Sequence, residues 1–245
     1  MARPGVEITA TIGNQVVSRS AVLEWENKRI DAAARKLRLP APPSAPVAQR
    51  REAWLHAKSE LGDDEIHRRL TRDVKLADTF ARWQSKVSEK RRACAIDLTA
   101  RGGPDAEFFT NWFEEITFSS NQDAMELSCP DHFVLRMVGG KQEVLETNGG
   151  SPFTALFTID YDDVSSLTTA IDPRFPFRLD GVARSADGTA IGGVRHQFRD
   201  TADGLHARLV VEFPLLILGR IIRGHRWHLA CEFSNWIESA AAERP

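Results

Sequence analysis

The sequence predicts an α+β protein in which a mostly helical N-terminal region precedes a curved antiparallel sheet wrapped around a long C-terminal helix. Three patterns support this fold class. Apolar residues recur at helical spacing through most of the first hundred residues, strand-like segments fill residues 132–213, and one long helical pattern follows Pro214 to about Ala242. The chain has 245 residues and is 42% hydrophobic, enough for one large domain or two small ones with a buried core.

The chain opens with a predicted hairpin and a helix. Residues 7–18 are typical of a short hairpin with Gly13-Asn14 as its turn. From Ser20, a candidate N-cap, apolar residues adopt helical spacing. PAPPSAP at residues 40–46 ends this helix, because proline lacks the amide donor and clashes with the preceding turn.

Two further helices complete the helical region. The second covers about residues 47–60. The third begins after Gly62, with Asp63 or Asp64 as its cap, and its apolar pattern extends to about Arg92.

RGGP at residues 101–104 is the predicted boundary between two regions. We therefore assign residues 1–103 to a mostly helical N-terminal region and residues 104–245 to a sheet-and-helix domain. The second region opens with AEFFTNWFEEITF, which predicts a short amphipathic helix.

Strand signals then accumulate along the second region. The segments are HFVLRMV, KQEVLET, FTALFTID, FRLDGVARS, TAIGGVRHQFRD and LHARLVVEFP. Asp187-Gly188 and Asp203-Gly204 separate alternating segments and indicate hairpins, so residues 176–213 predict an antiparallel meander. A curved sheet around the last helix is the helix-grip arrangement, which encloses a cavity suited to small, mostly apolar ligands.

Composition narrows the classes of partner and compartment. The net charge of -2 gives no reason to expect a polyanionic partner, and basic residues in the first region alternate with acids as on a solvated helical face, so we expect no nucleic-acid partner. Cys94, Cys129 and Cys231 form an odd, widely spaced set, which is not a disulfide framework. The sequence shows no signal peptide and no bilayer-length apolar run, so we expect a cytoplasmic protein with no membrane partner. We also consider a homodimer.

The last predicted helix carries the strongest chemical signal. GHRWHLACEFSNW, residues 224–236, places His228 and Glu232 one turn apart, with His225 on the same side. Imidazole and carboxylate at this spacing can bind one divalent metal ion such as zinc. The flanking residues are apolar, and a buried charge there needs a partner or a metal.

Two strands offer further ligands. His132 opens one predicted strand, and Glu146 ends the next one before a Gly-rich turn. If these strands form a hairpin, both side chains reach the rim of the cavity. Glu143 lies on the same strand as Glu146 and remains an alternative ligand, as His225 does to His228.

Five segments together resemble the diacetylphloroglucinol hydrolase family: EFFTNWFEEI, PDHFVLRM, VLETNGG, GGVRHQFRDTADG and HRWHLACEFSNW. The resemblance covers roughly residues 105–240. It implies a helix-grip (Bet v 1/START-like) fold and a metal-dependent hydrolase that cleaves a carbon–carbon bond beside a ketone. It also implies a zinc site with two histidines and two glutamates, which fall on His132, Glu146, His228 and Glu232.

The resemblance leaves the substrate open, and we expect a small cyclic, phenolic or polyketide-like ketone. His196, on a predicted strand face with Phe198, is the candidate group that protonates the leaving carbon. Tyr161, Trp112 and Arg208 are the candidates for substrate contact. The alternative is a non-hydrolytic helix-grip protein that binds a small apolar metabolite or guides its cyclisation.

Overall fold

A computed structural model describes residues 5–244 of the chain. In that range the strands are β1 (Glu7–Ile12), β2 (Gln15–Ser18), β3 (Arg91–Arg101), β4 (His132–Val138), β5 (Lys141–Glu146), β6 (Ala155–Asp160), β7 (Phe177–Arg184), β8 (Ala190–Thr201) and β9 (Gly204–Pro214). The helices are α1 (Arg19–Leu37), α2 (Val47–Leu61), α3 (Asp63–Val87), α4 (Ala106–Phe118), α5 (Gln122–Leu127) and α6 (Gly219–Glu243).

All nine strands form one curved antiparallel sheet, in the order β2-β1-β3-β9-β8-β7-β6-β5-β4. The α+β class, the curved sheet and the long C-terminal helix are therefore confirmed. So is the meander of β7, β8 and β9, which pair in sequence order. None of the described helices offers the uninterrupted apolar length needed to cross a bilayer.

The first 103 residues contribute strands as well as helices. The predicted hairpin is present as β1 and β2, but the third helix ends at Val87 instead of Arg92. After it, β3 pairs with β9 along eleven residues, from Arg91↔Pro214 to Arg101↔Gly204. Cys94, Ile96, Leu98 and Ala100 alternate into the core, a period-2 pattern that the sequence analysis missed. The sheet therefore spans both sides of the predicted boundary at residue 103.

Two helix starts also differ from prediction, and one helix was not predicted. The N-cap of α1 is Ser18, whose Oγ accepts from the Ala21 amide at 3.3 Å, and not Ser20. The short helix α5 was not predicted. An irregular turn follows Pro214, so α6 begins only at Gly219.

Two apolar clusters hold the layers together. The larger joins α4 and α6 to the sheet, and the smaller joins α1, α2 and α3 to the hairpin of β4 and β5. Val144 belongs to the first cluster and its neighbour Leu145 to the second, so β5 has apolar side chains on both faces. Because apolar clusters cover both faces of β5, the end of this strand lies deep inside the protein.

Candidate metal centre

Strand register brings two of the four predicted ligands together. His132 opens β4 directly opposite Glu146, the last residue of β5, and a bulge follows between His132 and Val134. On α6, His228 and Glu232 are four residues apart and point to the same side of the helix. The four residues are at most 7% exposed.

The four side chains converge through one atom each. His132 Nε2 lies 3.0 Å from His228 Nε2, 3.0 Å from Glu232 Oε2 and 3.6 Å from Glu146 Oε2. His228 Nε2 lies 3.4 Å from Glu232 Oε2 and 3.5 Å from Glu146 Oε2. Ligands about 2.0–2.1 Å from a tetrahedral zinc ion are about 3.3–3.4 Å apart, which matches these distances.

The hydrogen bond of His132 defines which nitrogen faces the cluster. Its Nδ1 lies 3.0 Å from the Met125 carbonyl oxygen, which can only accept, so Nδ1 carries the proton. Nε2 then presents a lone pair to the Glu232 carboxylate 3.0 Å away. Two acceptors this close repel each other unless a proton or a metal ion lies between them, and two imidazoles with two carboxylates are a donor set that fits a divalent metal.

The charges of the buried ligand side chains also favour a bound cation. Burial lowers the pKa of His228, but Glu146 and Glu232 raise it by more, to about 9. Burial is the largest single influence on Glu232 and raises its pKa, but the charges and hydrogen bonds of His228 and His132 together outweigh burial and hold that pKa well below its usual range. Burial dominates at Glu146 and raises its pKa. In the metal-free chain, a proton on His228 is therefore stabilised by the two buried carboxylates.

The second ring nitrogen of His228 faces a different set of groups. Its Nδ1 lies 3.7 Å from Cys129 Sγ and 4.0 Å from Asp131 Oδ2. Burial raises the pKa of the Cys129 thiol well above its usual value, so the thiolate that a metal requires is disfavoured. Cys129, His132 and His228 are close enough to share an ion, but Cys129 approaches Nδ1 of His228, whereas Glu146 and Glu232 approach Nε2.

The structure separates the alternative ligands. Glu143 pairs with Arg136 across the hairpin, where Arg136 Nε donates to its Oε1 at 3.0 Å, so it lies on the other face from Glu146. His225 stacks on His228 with ring centroids 4.9 Å apart, and it lies within metal-sharing distance of Glu146 and His228. Its buried Nδ1 has no hydrogen-bond partner, which leaves His225 as a reserve ligand.

Helices α1 and α2 hold the three residues Pro130, Asp131 and His132, which we call the PDH segment. Trp54 Nε1 donates to the Pro130 carbonyl at 3.1 Å, and Lys58 Nζ donates to the His132 carbonyl at 2.6 Å. Arg29 Nε donates to Asp131 Oδ2 at 2.9 Å. None of these three donors, nor Asp131, was predicted from the sequence, although Asp131 directly precedes the candidate ligand His132.

A close backbone crossing fixes the loop after β5 against α6. A Cβ on Gly224 would lie 2.1 Å from the Gly149 carbonyl oxygen, and a Cβ on Gly149 would lie 2.1 Å from the Gly224 carbonyl carbon. Gly149 also has a φ of 59°, which favours glycine. This contact holds the chain just beyond Glu146 against the turn of α6 that precedes His228.

The four converging groups lie on the wall of a cavity of about 490 Å³. Most of the lining is apolar and comes from the sheet, α3 and α6. His196 also lines the cavity, with its ring edge-on to Phe233 at 4.8 Å. Burial lowers the pKa of His196 to about 4, so it is neutral at pH 7, and its Nδ1 has no hydrogen-bond partner.

The three candidates for substrate contact have different outcomes. Tyr161 lines the cavity, and its hydroxyl donates to Gln142 Oε1 at 2.9 Å. Trp112 does not line it, because its ring packs among core aromatics and its Nε1 donates to Glu243 at 2.8 Å. Arg208 lies on the opposite face of β9, where Nη1 binds Asp172 at 2.8 Å. The structure therefore places neither Trp112 nor Arg208 on the cavity wall.

The sequence analysis also missed Gln84, which lines the cavity from α3. Its side chain is 1% exposed and its Oε1 has no partner. A polar residue inside an otherwise apolar helical stripe was the signal that could have found it.

Neither models of known protein families nor curated proteins give a match to this chain. The resemblance to diacetylphloroglucinol hydrolases therefore stays a prediction from the motifs.

Proposed function

We propose that the protein is a metal-dependent hydrolase that cleaves a carbon–carbon bond beside a ketone in a small cyclic, phenolic or polyketide-like substrate. The observation that carries this proposal is a pair of imidazole nitrogens 3.0 Å apart, each 3.0–3.6 Å from the same two carboxylate oxygens, at the wall of an apolar cavity. The resemblance of the motifs to carbon–carbon hydrolases supports the reaction class.

His132, Glu146, His228 and Glu232 would hold the metal, and zinc is the ion that best suits this set of ligands. A bound zinc ion supplies a Lewis acid that polarises a substrate carbonyl or lowers the pKa of a water molecule. The surrounding apolar wall excludes bulk water and strengthens the electrostatic interactions inside the site.

His196 is the group that we propose moves the proton. Hydrolysis adds a hydroxyl to the acyl carbon and a proton to the carbon that leaves. The neutral imidazole of His196, which lines the cavity, can accept a proton and deliver it to that carbon. Gln84 and the Tyr161–Gln142 pair are the polar groups available to orient the substrate.

Elemental analysis of the gently purified protein tests the metal site. We expect about one equivalent of zinc or a similar divalent ion, lost in His228→Ala and Glu232→Gln. Glu143→Gln is the matched control, because that carboxylate lies on the same strand but faces Arg136. A metal content unchanged by His228→Ala and Glu232→Gln would contradict the site.

Release of a carboxylic acid from acyl-phenols and cyclic diketones tests the reaction. We expect turnover by the wild-type protein and the Glu143→Gln control, and loss of turnover in His196→Ala with the metal retained. Tight binding of these ketones without turnover by the metal-loaded protein would favour the non-hydrolytic carrier instead.

A further inference from the structure

Large apolar side chains surround the mouth of the cavity and face solvent. They come from α3, from the loop before β6 and from the turn before α6: Leu76, Phe80, Trp83, Val87, Phe153, Leu215, Leu216 and Leu218. Leu76, Phe80, Phe153 and Leu218 line the cavity itself, so the three segments meet around one opening. We call these eight residues the apolar rim.

Helix α3 forms the longest side of the apolar rim. Its first half buries Ile66 and Leu70, whereas the second half turns a continuous stripe outward. Phe80 and Trp83 stack with ring centroids 5.8 Å apart, and Trp83 remains 52% exposed. Contiguous exposed apolar surface of this kind marks an interaction site.

Exposed cations accompany the apolar rim. Lys75, Lys86 and Lys90 lie on or just after the same half of α3, and Arg220 and Arg223 lie on the first turns of α6. In the described part of the chain, no carboxylate lies within ion-pair distance of these five side chains. By contrast, Arg82 in the same stretch binds Asp78 and Asp187.

We propose that the apolar rim and its cations dock the protein on an anionic lipid bilayer. Trp, Phe and Leu side chains insert at the level of the headgroups, and flanking Lys and Arg bind acidic lipid. In a symmetric contact between two copies through this face, the five unpaired cations of one copy would face the same five cations of the other and repel them. The charges therefore favour an anionic surface over a second copy. This proposal replaces the expectation of no membrane partner.

Docking in this orientation presents the cavity mouth to the bilayer. An apolar substrate dissolved in lipid then reaches the cavity without crossing water. The proposal rests on the apolar rim and its cations, so its test does not depend on the metal centre.

Sedimentation with vesicles tests the proposal directly. We expect the full chain to bind vesicles of phosphatidylcholine with phosphatidylglycerol, and to bind pure phosphatidylcholine at least about 10-fold more weakly. Lys75→Gln/Lys86→Gln is expected to lower binding to anionic vesicles about 25-fold, since each cation near the surface contributes about 5-fold. Phe80→Ser/Trp83→Ser is expected to abolish binding.

A matched control uses Val16→Ser/Lys28→Gln. Val16 and Lys28 are exposed, and neither lines the cavity. This variant is expected to bind like wild type, and unchanged thermal unfolding of every variant shows that folding is intact. Quenching of Trp83 fluorescence by brominated lipid, lost in Trp83→Ser, gives an independent readout in the folded protein.

Three results would overturn the proposal. The first is no binding to anionic vesicles, and the second is equal binding to zwitterionic vesicles. The third is a wild-type protein that does not bind vesicles but forms a dimer in solution, when Phe80→Ser/Trp83→Ser dissociates that dimer. This result would show that the apolar rim binds a second copy of the chain.

Discussion

Replacing Lys58 with methionine tests how the N-terminal helices support the candidate metal centre. Lys58 Nζ lies 3.0 Å from Glu126 Oε2 and 2.6 Å from the His132 carbonyl, and the two side chains are 0% and 4% exposed. Methionine keeps the volume of the side chain but leaves Glu126 as a buried charge without a counter-ion. Removing one partner of a buried ion pair destabilises a protein by about 3–5 kcal/mol.

That magnitude is measurable by thermal and urea unfolding. For a chain of this size about 1 kcal/mol shifts Tm by about 2–4 °C, so we expect Lys58→Met to lower Tm by about 6–20 °C. The control is Lys28→Met, an exposed residue of α1, which is expected to change the free energy of unfolding by less than about 0.5 kcal/mol.

A double variant separates stability from positioning. Lys58→Met/Glu126→Gln removes the stranded charge, and its amide oxygen still accepts from Gln122 Nε2, which lies 2.7 Å from Glu126 Oε1. We expect this variant to regain at least half of the lost stability. Its zinc affinity, measured by competition with a chelating dye, should stay about 10-fold below wild type, because the His132 carbonyl has lost its donor.

Two results would refute this reasoning. If Lys58→Met unfolds with the same free energy as wild type, the ion pair is not a buried charge balance. If the double variant recovers zinc affinity as well as stability, α2 does not position His132.

Three further predictions follow from contacts around the centre. Gly224→Ala forces apart the crossing with Gly149, so we expect it to lower the free energy of unfolding in urea by at least about 1–3 kcal/mol. Gly219→Ala is the control in the same helix, because the added methyl group meets only side-chain atoms at 3.5 Å or more. We expect that variant to be as stable as wild type or slightly more stable. Asp131→Asn should lower zinc affinity by about 10–100-fold in a chelator competition, and an unchanged affinity would show that Asp131, which Arg29 holds, does not support the neighbouring ligand His132. Because the pKa of His228 is raised from 6.5 to about 9, its protonation stabilises the metal-free protein fully below about pH 6.5. That stability should be lost as the pH rises towards about 9, and a flat profile of unfolding free energy over this range would contradict the charge balance.

The strands and ligands that follow a simple period were predictable. The bounds of β4 agree with the predicted segment, and His228 and Glu232 lie together because the helical repeat alone puts residues i and i+4 on one side. Glu146 was preferred over Glu143 because it ends its predicted strand, and Glu143 remained an alternative. The structure resolves that choice by register, because Glu143 pairs with Arg136 while Glu146 lies opposite His132.

The features that were missed depend on contacts between distant parts of the chain. Trp112 is as apolar as a cavity residue, but its hydrogen bond goes to Glu243, 131 residues away. Strand β3 was missed because its charged start continues the polar spacing of α3, and its pairing with β9 is a long-range contact. The sequence alone does not distinguish Lys58 from a solvent-exposed lysine, because Lys58 is buried only when α2 packs over the PDH segment.

The place of β3 inside the sheet has a consequence for any attempt to divide the chain. If residues 104–245 were produced alone, β9 would lose the partner that it holds along eleven residues. Its unpaired backbone groups, with Leu205, Leu209 and Phe213 beside them, would form a bare edge that recruits strands from other molecules. We expect such a fragment to aggregate, and joining it to residues 5–103 supplied as a separate polypeptide to restore solubility by strand complementation.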